Sequence, residues 1–185
     1  QAIQRNPYFP NTYELRGLAY INMNRFPDAI RDYRTVTDML PENRSLWHNL
    51  ALCYIETDSL DQADSITDII IRRWAKQADG YTLKAQVFLQ RNDTAAAETY
   101  IDKAIEADKY NIGAHTAKAN ILMSHEQYNE AIQHFDESLR LNPKQANTLI
   151  NRALCHYHLN HYRDAMADYD RALDLEPTNF LAHYP

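Results

Sequence analysis

The chain repeats itself every 34 residues, and this period constrains the fold more than any other feature. A shift of 34 positions aligns five copies without an insertion. We call each set of positions that lie 34 residues apart a column. One column holds only alanine, and a second holds only glycine or alanine: Ala29, Ala63, Ala97, Ala131 and Ala165; Gly17, Ala51, Ala85, Ala119 and Ala153. Such a period is typical of solenoids, in which repeats stack on their sequence neighbours.

Each copy is predicted to form two helices. Apolar residues follow helical spacing through the first half of the second copy, at Leu46, Trp47, Leu50, Ala51, Tyr54 and Ile55. A break follows at Thr57–Asp58, and Ser59 and Gln62 are then spaced as a capping box that starts a second helix. In the first copy, Pro27 stands where a helix start tolerates proline and Pro41 closes the second helix.

The second copy departs most from the others. Thr67 occupies a column that is aromatic in three copies, and no proline ends the stretch around Trp74. We therefore expect a longer helix or a looser junction near Trp74.

The stretch "WHNLALCY", followed by Ala63, resembles the tetratricopeptide repeat pattern W-x2-L-G-x2-Y and A-x3-F. The resemblance implies an all-α, right-handed superhelical solenoid of stacked antiparallel helix-turn-helix hairpins. It covers one solenoid over residues 1–185, with full repeats at about 10–43, 44–77, 78–111, 112–145 and 146–179. Residues 1–9 resemble the end of a preceding helix, and residues 180–185 the start of a truncated sixth repeat. The chain is thus expected to be a fragment of a larger multi-repeat protein of bacterial type.

Composition narrows the function classes. The net charge is −6 and no run of Lys or Arg occurs, so a nucleic-acid partner is not expected. No apolar run is long enough to cross a membrane. The two cysteines, Cys53 and Cys155, share a column three copies apart, so both are expected to be buried and unbridged. These observations leave the location open between the cytoplasm and a bacterial cell envelope.

Three histidines in the stretch "HYHLNH" raise the question of a metal site. His156 belongs to a column that otherwise holds Tyr20, Tyr54, Phe88 and Leu122, so it is expected to pack within its own hairpin. His158 should face elsewhere, and His161 falls in the turn, so the three donors are not expected to converge on one ion. No nucleophile stands beside an oriented base. We therefore predict no metal ligand, no catalytic residue and no cofactor.

In the resembled family, the first helices line a concave face where partners dock. Transferred column by column, this implies the following set, which we call the predicted groove: Asn11, Glu14, Leu18, Ile21, Ser45, His48, Leu52, Ile55, Asp79, Thr82, Gln86, Leu89, Thr116, Asn120, Met123, Asn147, Ile150, Leu154 and Tyr157. Read down the columns, the set is an apolar stripe bordered by neutral polar groups. It lacks the Lys and Arg residues with which family members clamp a carboxyl terminus, and it lacks the asparagine ladder of the family's glycosyltransferases.

An apolar stripe suits an extended peptide or an amphipathic helix. The first hypothesis is therefore a non-enzymatic scaffold that binds a protein partner in the groove. Alternatives are a structural or self-associating segment of a larger protein, with end-to-end homo-association, and an accessory domain that delivers substrate to an enzyme. A further alternative is that other parts of the parent protein cover the apolar stripe.

A column that usually holds leucine in this family carries charge here, at Arg16, Lys84, Lys118 and Arg152. In an antiparallel hairpin this column should face Asp32, Ile66, Tyr100, His134 and Asp168. The arginine copies have aspartate opposite, so we predict partly buried Arg16–Asp32 and Arg152–Asp168 ion pairs.

Overall fold

The structure is a computed structural model that describes residues 9–176. The predicted start of a sixth repeat at 180–185 lies outside the described residues. So does the predicted preceding helix at 1–9, apart from Phe9.

Between residues 9 and 176 the chain forms ten α-helices and no β-strand. They are α1 (Pro10–Asn22), α2 (Phe26–Met39), α3 (Arg44–Glu56), α4 (Leu60–Arg73), α5 (Ala78–Gln90), α6 (Thr94–Ala107), α7 (Ile112–Ser124), α8 (Tyr128–Leu141), α9 (Ala146–His158) and α10 (Tyr162–Leu175). The all-α class is confirmed. Consecutive helices form five pairs, α1–α2 to α9–α10, and the chain divides into two compact units, residues 1–100 and 101–185.

A left-handed backbone residue ends the first helix of every pair. These residues have φ between 55° and 61°, and they are Asn24, Asp58, Asn92, Glu126 and Asn160. Asparagine and aspartate tolerate this conformation better than most residues, which accounts for four of the five. The next residue donates its backbone N–H to a carbonyl five positions earlier, as from Arg25 to Tyr20 at 2.8 Å and from Ser59 to Tyr54 at 2.9 Å. This is the Schellman arrangement, which turns the chain sharply into the second helix.

Two local predictions about the second copy are wrong. Ser59 is the residue before α4, but its side chain caps no backbone N–H; instead its hydroxyl oxygen accepts a hydrogen bond from Thr57 Oγ1 at 3.1 Å. The helix α4 has 14 residues, the same length as α2, α6, α8 and α10. The linker at 74–77 has four residues, as do the other linkers between helix pairs. Backbone hydrogen bonds order it: the N–H of Trp74 donates to the carbonyl of Ile70, and the N–H of Gln77 donates to the carbonyl of Trp74. Pro27 and Pro41 lie where they were predicted, at the start of α2 and just after it.

Small residues let the helices of a pair approach closely. In unit 1, Ala29, Tyr33 and Val36 of α2 pack with Leu46 and Leu50 of α3 in one buried cluster. A Cβ atom on Gly17 would lie 2.9 Å from Tyr33 Cε2, so the ring fills the space that this glycine leaves. In unit 2 the corresponding clusters centre on Phe135 and on Leu149, and they include Ala119, Ala131, Ala153 and Ala165. Each pair therefore buries its apolar side against its own partner and its sequence neighbours.

Both cysteines are buried and free, as predicted. Burial disfavours the thiolate and raises the pKa of Cys53 and of Cys155 to about 11. At neutral pH both residues are thus small apolar parts of the core.

The predicted ion pairs within hairpins are confirmed. Arg16 donates from Nε and Nη2 to the carboxylate of Asp32, with 2.6 Å for the Nε contact. Arg152 does the same to Asp168 at 2.7 and 2.6 Å. Both aspartates are almost fully buried, whereas the Arg16 side chain is 42% exposed and that of Arg152 is 16% exposed. Two parallel hydrogen bonds make each pair geometrically specific.

A second set of ion pairs, not predicted from the sequence, links one helix pair to the next. The cation column also contacts an aspartate column 16 residues earlier: Lys84 with Asp68 at 2.7 Å, Lys118 with Asp102 at 2.8 Å, and Arg152 with Asp136 at 2.5 Å. Each of these contacts joins the second helix of one pair to the first helix of the following pair. Arg152 thus binds an aspartate on either side.

Lys84 is the most buried of these cations, with 4% of its side chain exposed. Burial alone would lower the pKa of Lys84. Its ion pairs with Asp64 and Asp68 outweigh burial and raise the pKa instead, so the ammonium group stays charged. The ammonium also lies 5.9 Å from the centroids of the stacked Phe88 and Tyr100 rings.

We expect Asp168→Ala to lower the free energy of unfolding by about 2 kcal/mol, because it removes two hydrogen bonds to Arg152 in a largely buried site. Urea denaturation followed by circular dichroism measures the loss. Asp136→Ala is the matched control: it removes a contact to the same arginine, but from a 56% exposed aspartate, and should cost about 0.5 kcal/mol or less. Equal losses in the two variants would contradict the assignment.

Two helical glycines give a second comparison. A Cβ on Gly80 would lie 2.9 Å from Ile71 Cγ1 and 3.0 Å from Ile70 Cγ2, whereas a Cβ on Gly113 would meet nothing closer than 3.5 Å. We expect Gly80→Ala to destabilise the fold by about 1–2 kcal/mol through overpacking. Gly113→Ala should stabilise it by up to about 1 kcal/mol through helix propensity. Thermal melts of both variants test the opposite signs, and a stabilising Gly80→Ala would refute the close contact.

Candidate interaction surface

In unit 1 the predicted groove residues lie on α1, α3 and α5, with differing access to solvent. Leu18 and Leu89 are exposed, at 46% and 39%. Asn11 and Ser45 are exposed as well. The half-buried members are Glu14, Ile21, His48, Leu52, Asp79, Thr82 and Gln86. Ile21 and Leu52 pack partly against the core clusters, so within the predicted groove of this unit the exposed apolar side chains are the two leucines.

In unit 2 the predicted groove residues lie on α7 and α9. Tyr157 is 42% exposed, and Asn147 is exposed too. Thr116, Asn120, Met123 and Leu154 are half-buried, and the last two pack partly against the apolar clusters of this unit. The ring of Tyr157 meets Tyr162 edge-on, with centroids 5.6 Å apart.

Two residues of the predicted groove do not belong to an accessible surface. Ile55 is 1% exposed and lies in the cluster with Ala51, Ala63 and Ile70; Ile150 is 3% exposed and lies in the cluster around Leu149. Their placement in the groove is wrong. Each side chain turns into a buried core that its own helix pair forms with an adjacent helix, α5 for Ile55 and α8 for Ile150.

An arginine missed by the sequence prediction changes the charge of this surface. Arg44, the first residue of α3, donates from Nη1 to Asp79 Oδ2 at 2.5 Å and to Gln77 Oε1 at 3.4 Å. Asp79 is therefore compensated in place. Arg44 and Asp79 are 35 residues apart, one more than the period, and so lie at neighbouring positions on the first helices of adjacent pairs. This spacing is the signal in the sequence from which the pair could have been predicted.

Side-chain amides and hydroxyls of unit 2 bond to one another. Asn151 donates from Nδ2 to Asn120 Oδ1 at 2.9 Å, which ties α9 to α7. The Thr116 hydroxyl lies 2.8 Å from that of Ser138 on α8. These contacts restrain the side chains of two predicted groove residues, Thr116 and Asn120.

His48 is a neutral member of the set at physiological pH. Burial lowers its pKa, the nearby Arg44 lowers it further, and Asp79 opposes them. Its Nδ1 atom is buried and has no hydrogen-bond partner. The imidazole thus behaves as a half-buried polar group rather than as a cation.

Among residues 9–176, none of the helices is long and apolar enough to span a membrane.

Family models described as tetratricopeptide repeat match residues 15–64, 78–111, 112–145 and 146–179, which together cover most of the chain. The chain belongs to the tetratricopeptide repeat family. The helix pairs and the small-residue columns are the structural expression of that membership.

Several curated relatives match the chain. Anaphase-promoting complex subunit 7 of Homo sapiens is 28% identical over 97% of this chain and 32% of its own length. Hsp70-Hsp90 organizing protein 1 of Glycine max is 25% identical over 88% of this chain and 29% of its own length. Protein O-mannosyl-transferase TMTC1 of Homo sapiens is 25% identical over 89% of this chain and 19% of its own length. The chain spans about a third, or less, of the length of these relatives.

Solved structures share the fold. The anaphase-promoting-complex hetero-tetramer Cut9-Hcn1 superposes with a TM-score of 0.83 at 20% identity, over 98% of this chain and 36% of that one. YrrB, described as a tetratricopeptide repeat protein with an unusual peptide-binding site, superposes with a TM-score of 0.64 at 17% identity. The match covers 98% of this chain and 94% of YrrB. At these identities the likeness establishes the fold.

The burial of His48 predicts a pH-dependent stability. Because its folded pKa lies below its ordinary value of about 6.5, the unfolded chain takes up the proton first as the pH falls. The contribution is present in full above about pH 6.5 and is lost as the pH falls through the folded pKa. His134, whose pKa is lowered mainly by burial and also by His115, acts in the same direction.

We therefore expect wild type to lose stability between about pH 7.5 and about pH 5, and His48→Gln to lose less. Urea midpoints at the two pH values measure this difference. His125→Gln, at an exposed position, is the control and should behave as wild type. An identical pH response of His48→Gln and wild type would contradict the role of His48.

Proposed function

We propose that this chain is a non-enzymatic protein-interaction scaffold that binds a peptide or a helix of a partner protein along the predicted groove. The observation that carries the proposal is the solvent exposure of Leu18, Leu89 and Tyr157 on first helices. Most other residues of the predicted groove are neutral amides and hydroxyls; its two carboxylates are Glu14 and Asp79, and Asp79 is paired with Arg44. Exposed apolar side chains rimmed by polar groups are characteristic of surfaces that bind protein partners.

The electrostatics of unit 1 favour an apolar ligand over a charged one. Asp79 is already paired with Arg44, and His48 is held neutral by burial. A ligand that covers this surface would therefore not strand the Asp79 carboxylate without a counter-ion, which is the expensive event in docking. The occupant we propose is an extended segment or an amphipathic helix whose anchors are aliphatic or aromatic.

Relatives support this class of function. One is named an organizing protein for Hsp70 and Hsp90, another is a subunit of the anaphase-promoting complex, and YrrB is described by its peptide-binding site. We transfer only the shared property, which is the binding of other proteins. The division into five repeats and the bacterial origin remain predictions, and the named curated relatives come from an animal and a plant.

The absence of catalysis is part of the proposal. An accessory role beside an enzyme stays compatible with it, since one relative is named a mannosyl-transferase and this chain matches only 19% of its length. Such a role would use the same groove to hold a substrate protein.

Self-association is the second candidate, and a specific observation favours it. Leu15 on α1 is 67% exposed and Met166 on α10 is 65% exposed, both outside the predicted groove. Sedimentation equilibrium over a wide concentration range separates the candidates: end-to-end stacking raises the average mass with concentration, whereas a monomeric scaffold keeps a constant mass.

The decisive experiment combines capture with reconstitution. Proteins captured from a lysate are identified by mass spectrometry, and a labelled peptide from each captured partner is titrated with the purified chain by fluorescence anisotropy. We expect Leu18→Glu with Leu89→Glu, and separately Tyr157→Glu, to weaken peptide binding by about 10-fold or more, because interface anchors carry most of the binding energy. These positions suit the test better than Leu52 and Leu154, which pack partly against the core.

Met166→Glu is the matched control, since it places the same charge on an exposed apolar position outside the groove. It should leave the affinity unchanged, and circular dichroism should show intact helices in all variants. Equal affinities of the groove variants and wild type would refute the groove as the docking surface. A loss in the Met166 variant alone would favour the surface of α10.

A further inference from the structure

Three potential metal ligands converge where α9 turns into α10. His156, His161 and Asp164 each place one donor atom within 4.8 Å of the donor atoms of the other two. The rings of His156 and His161 are 5.9 Å apart, centroid to centroid. The third histidine of this stretch, His158, is not part of the group and stacks on Tyr128 at 4.6 Å.

The backbone turn explains the convergence, and it corrects the prediction that His156 and His161 face apart. The N–H of His161 donates to the carbonyl of His156 at 2.8 Å, which is the Schellman hydrogen bond of this helix pair. Two residues separated by five positions are thereby brought side by side. Asp164 follows on the first turn of α10, on the same side as His161.

The first helix pair shows independently that a side chain at the second of these positions reaches both of the others. The residues equivalent to His156, His161 and Asp164 are Tyr20, Arg25 and Asp28. There the Arg25 guanidinium lies 4.6 Å from the centre of the Tyr20 ring, and its Nη2 atom lies 2.6 Å from Asp28 Oδ2. The fold thus holds side chains at these positions together, and in the fifth pair it does so with two imidazoles and a carboxylate.

The remaining pairs carry other residues at these positions: Tyr54, Ser59 and Gln62; Phe88, Asp93 and Ala96; Leu122, Gln127 and Glu130. The donor set is therefore particular to the fifth pair rather than a consequence of the repeat.

The group also contains a buried nitrogen without a partner. His156 Nδ1 is buried and makes no hydrogen bond. A buried polar atom left unpaired is unfavourable, so a ligand that bonds to this nitrogen would remove part of that penalty. His161 and Asp164 are exposed, which leaves their side chains free to rotate toward an ion.

We propose that His156, His161 and Asp164 form a binding site for a divalent transition metal of the zinc class. Imidazole nitrogen and carboxylate oxygen are ligands that such ions take, at about 2.0–2.2 Å. Donors at that distance around a tetrahedral ion lie about 3.3 Å apart, so rotation of the two exposed side chains brings the present arrangement to bonding geometry. Three protein ligands leave a fourth position, which water or a side chain of another protein would fill.

The test is a calorimetric titration of the metal-free chain with Zn²⁺, paired with the visible absorption spectrum of the Co²⁺ form, which reports tetrahedral coordination. We expect one site in wild type. His161→Ala and Asp164→Asn should each weaken Zn²⁺ binding by about 100-fold or more, because loss of an outer-shell partner alone costs 10–100-fold. His156→Tyr should abolish the site while preserving the fold, since tyrosine occupies this column in the first two copies.

His125→Ala removes an exposed histidine from the α7–α8 turn and serves as the control. Binding that persists in His125→Ala and is lost in the three site variants supports the site. Three results would overturn it: no saturable Zn²⁺ binding by wild type, equal weakening in the control, or full affinity in His161→Ala. In that last case Asp164 acts only at the amino-terminal end of α10, where a carboxylate stabilises the helix dipole.

Discussion

One backbone hydrogen bond, repeated every 34 residues, organises each helix pair of this chain. It runs from the residue after the left-handed position to a carbonyl five residues earlier, as in Arg25 to Tyr20 and His161 to His156. Because it fixes where the first helix ends and the second begins, it sets which side chains of the two helices face each other. The pairing of Arg16 with Asp32 and the convergence of donors at His156 both depend on it.

The sequence predicted the features that need only one hairpin. Arg16–Asp32 and Arg152–Asp168 follow from counting residues across a turn, and both are present. The second set of pairs, such as Lys118–Asp102, joins neighbouring copies, so the antiparallel geometry of a single hairpin does not predict it, although the aspartates recur at the same period. The groove prediction was wrong for Ile55 and Ile150 because a column gives only the average direction of a helix face, whereas packing against the paired helix and the adjacent helix decides burial. The column of left-handed residues was not predicted, because it contains Glu126 beside three asparagines and one aspartate and no glycine.

The charges of this protein have separate structural tasks. The cations of one column are paired with aspartates of an adjacent helix, as Lys84 is with Asp64 and Asp68, or of both adjacent helices, as Arg152 is with Asp136 and Asp168. The predicted groove columns of the same first helices carry mostly leucine, tyrosine and neutral polar groups, and Asp79 among them is paired with Arg44. Stability and recognition therefore draw on different columns of the same repeat, so a groove residue such as Leu18 is replaceable without touching an ion pair.

The spacing of the ion pairs restricts how the gene can change in length. Arg152 reaches one aspartate 16 residues before it and another 16 residues after it. A single codon inserted into a helix between Arg152 and one of these partners would rotate the two side chains apart by about 100°, whereas duplication of a whole 34-codon repeat would keep both spacings. Deletions and duplications compatible with folding are therefore expected in whole repeats, and the chain can lengthen its binding surface by recombination more readily than by small insertions.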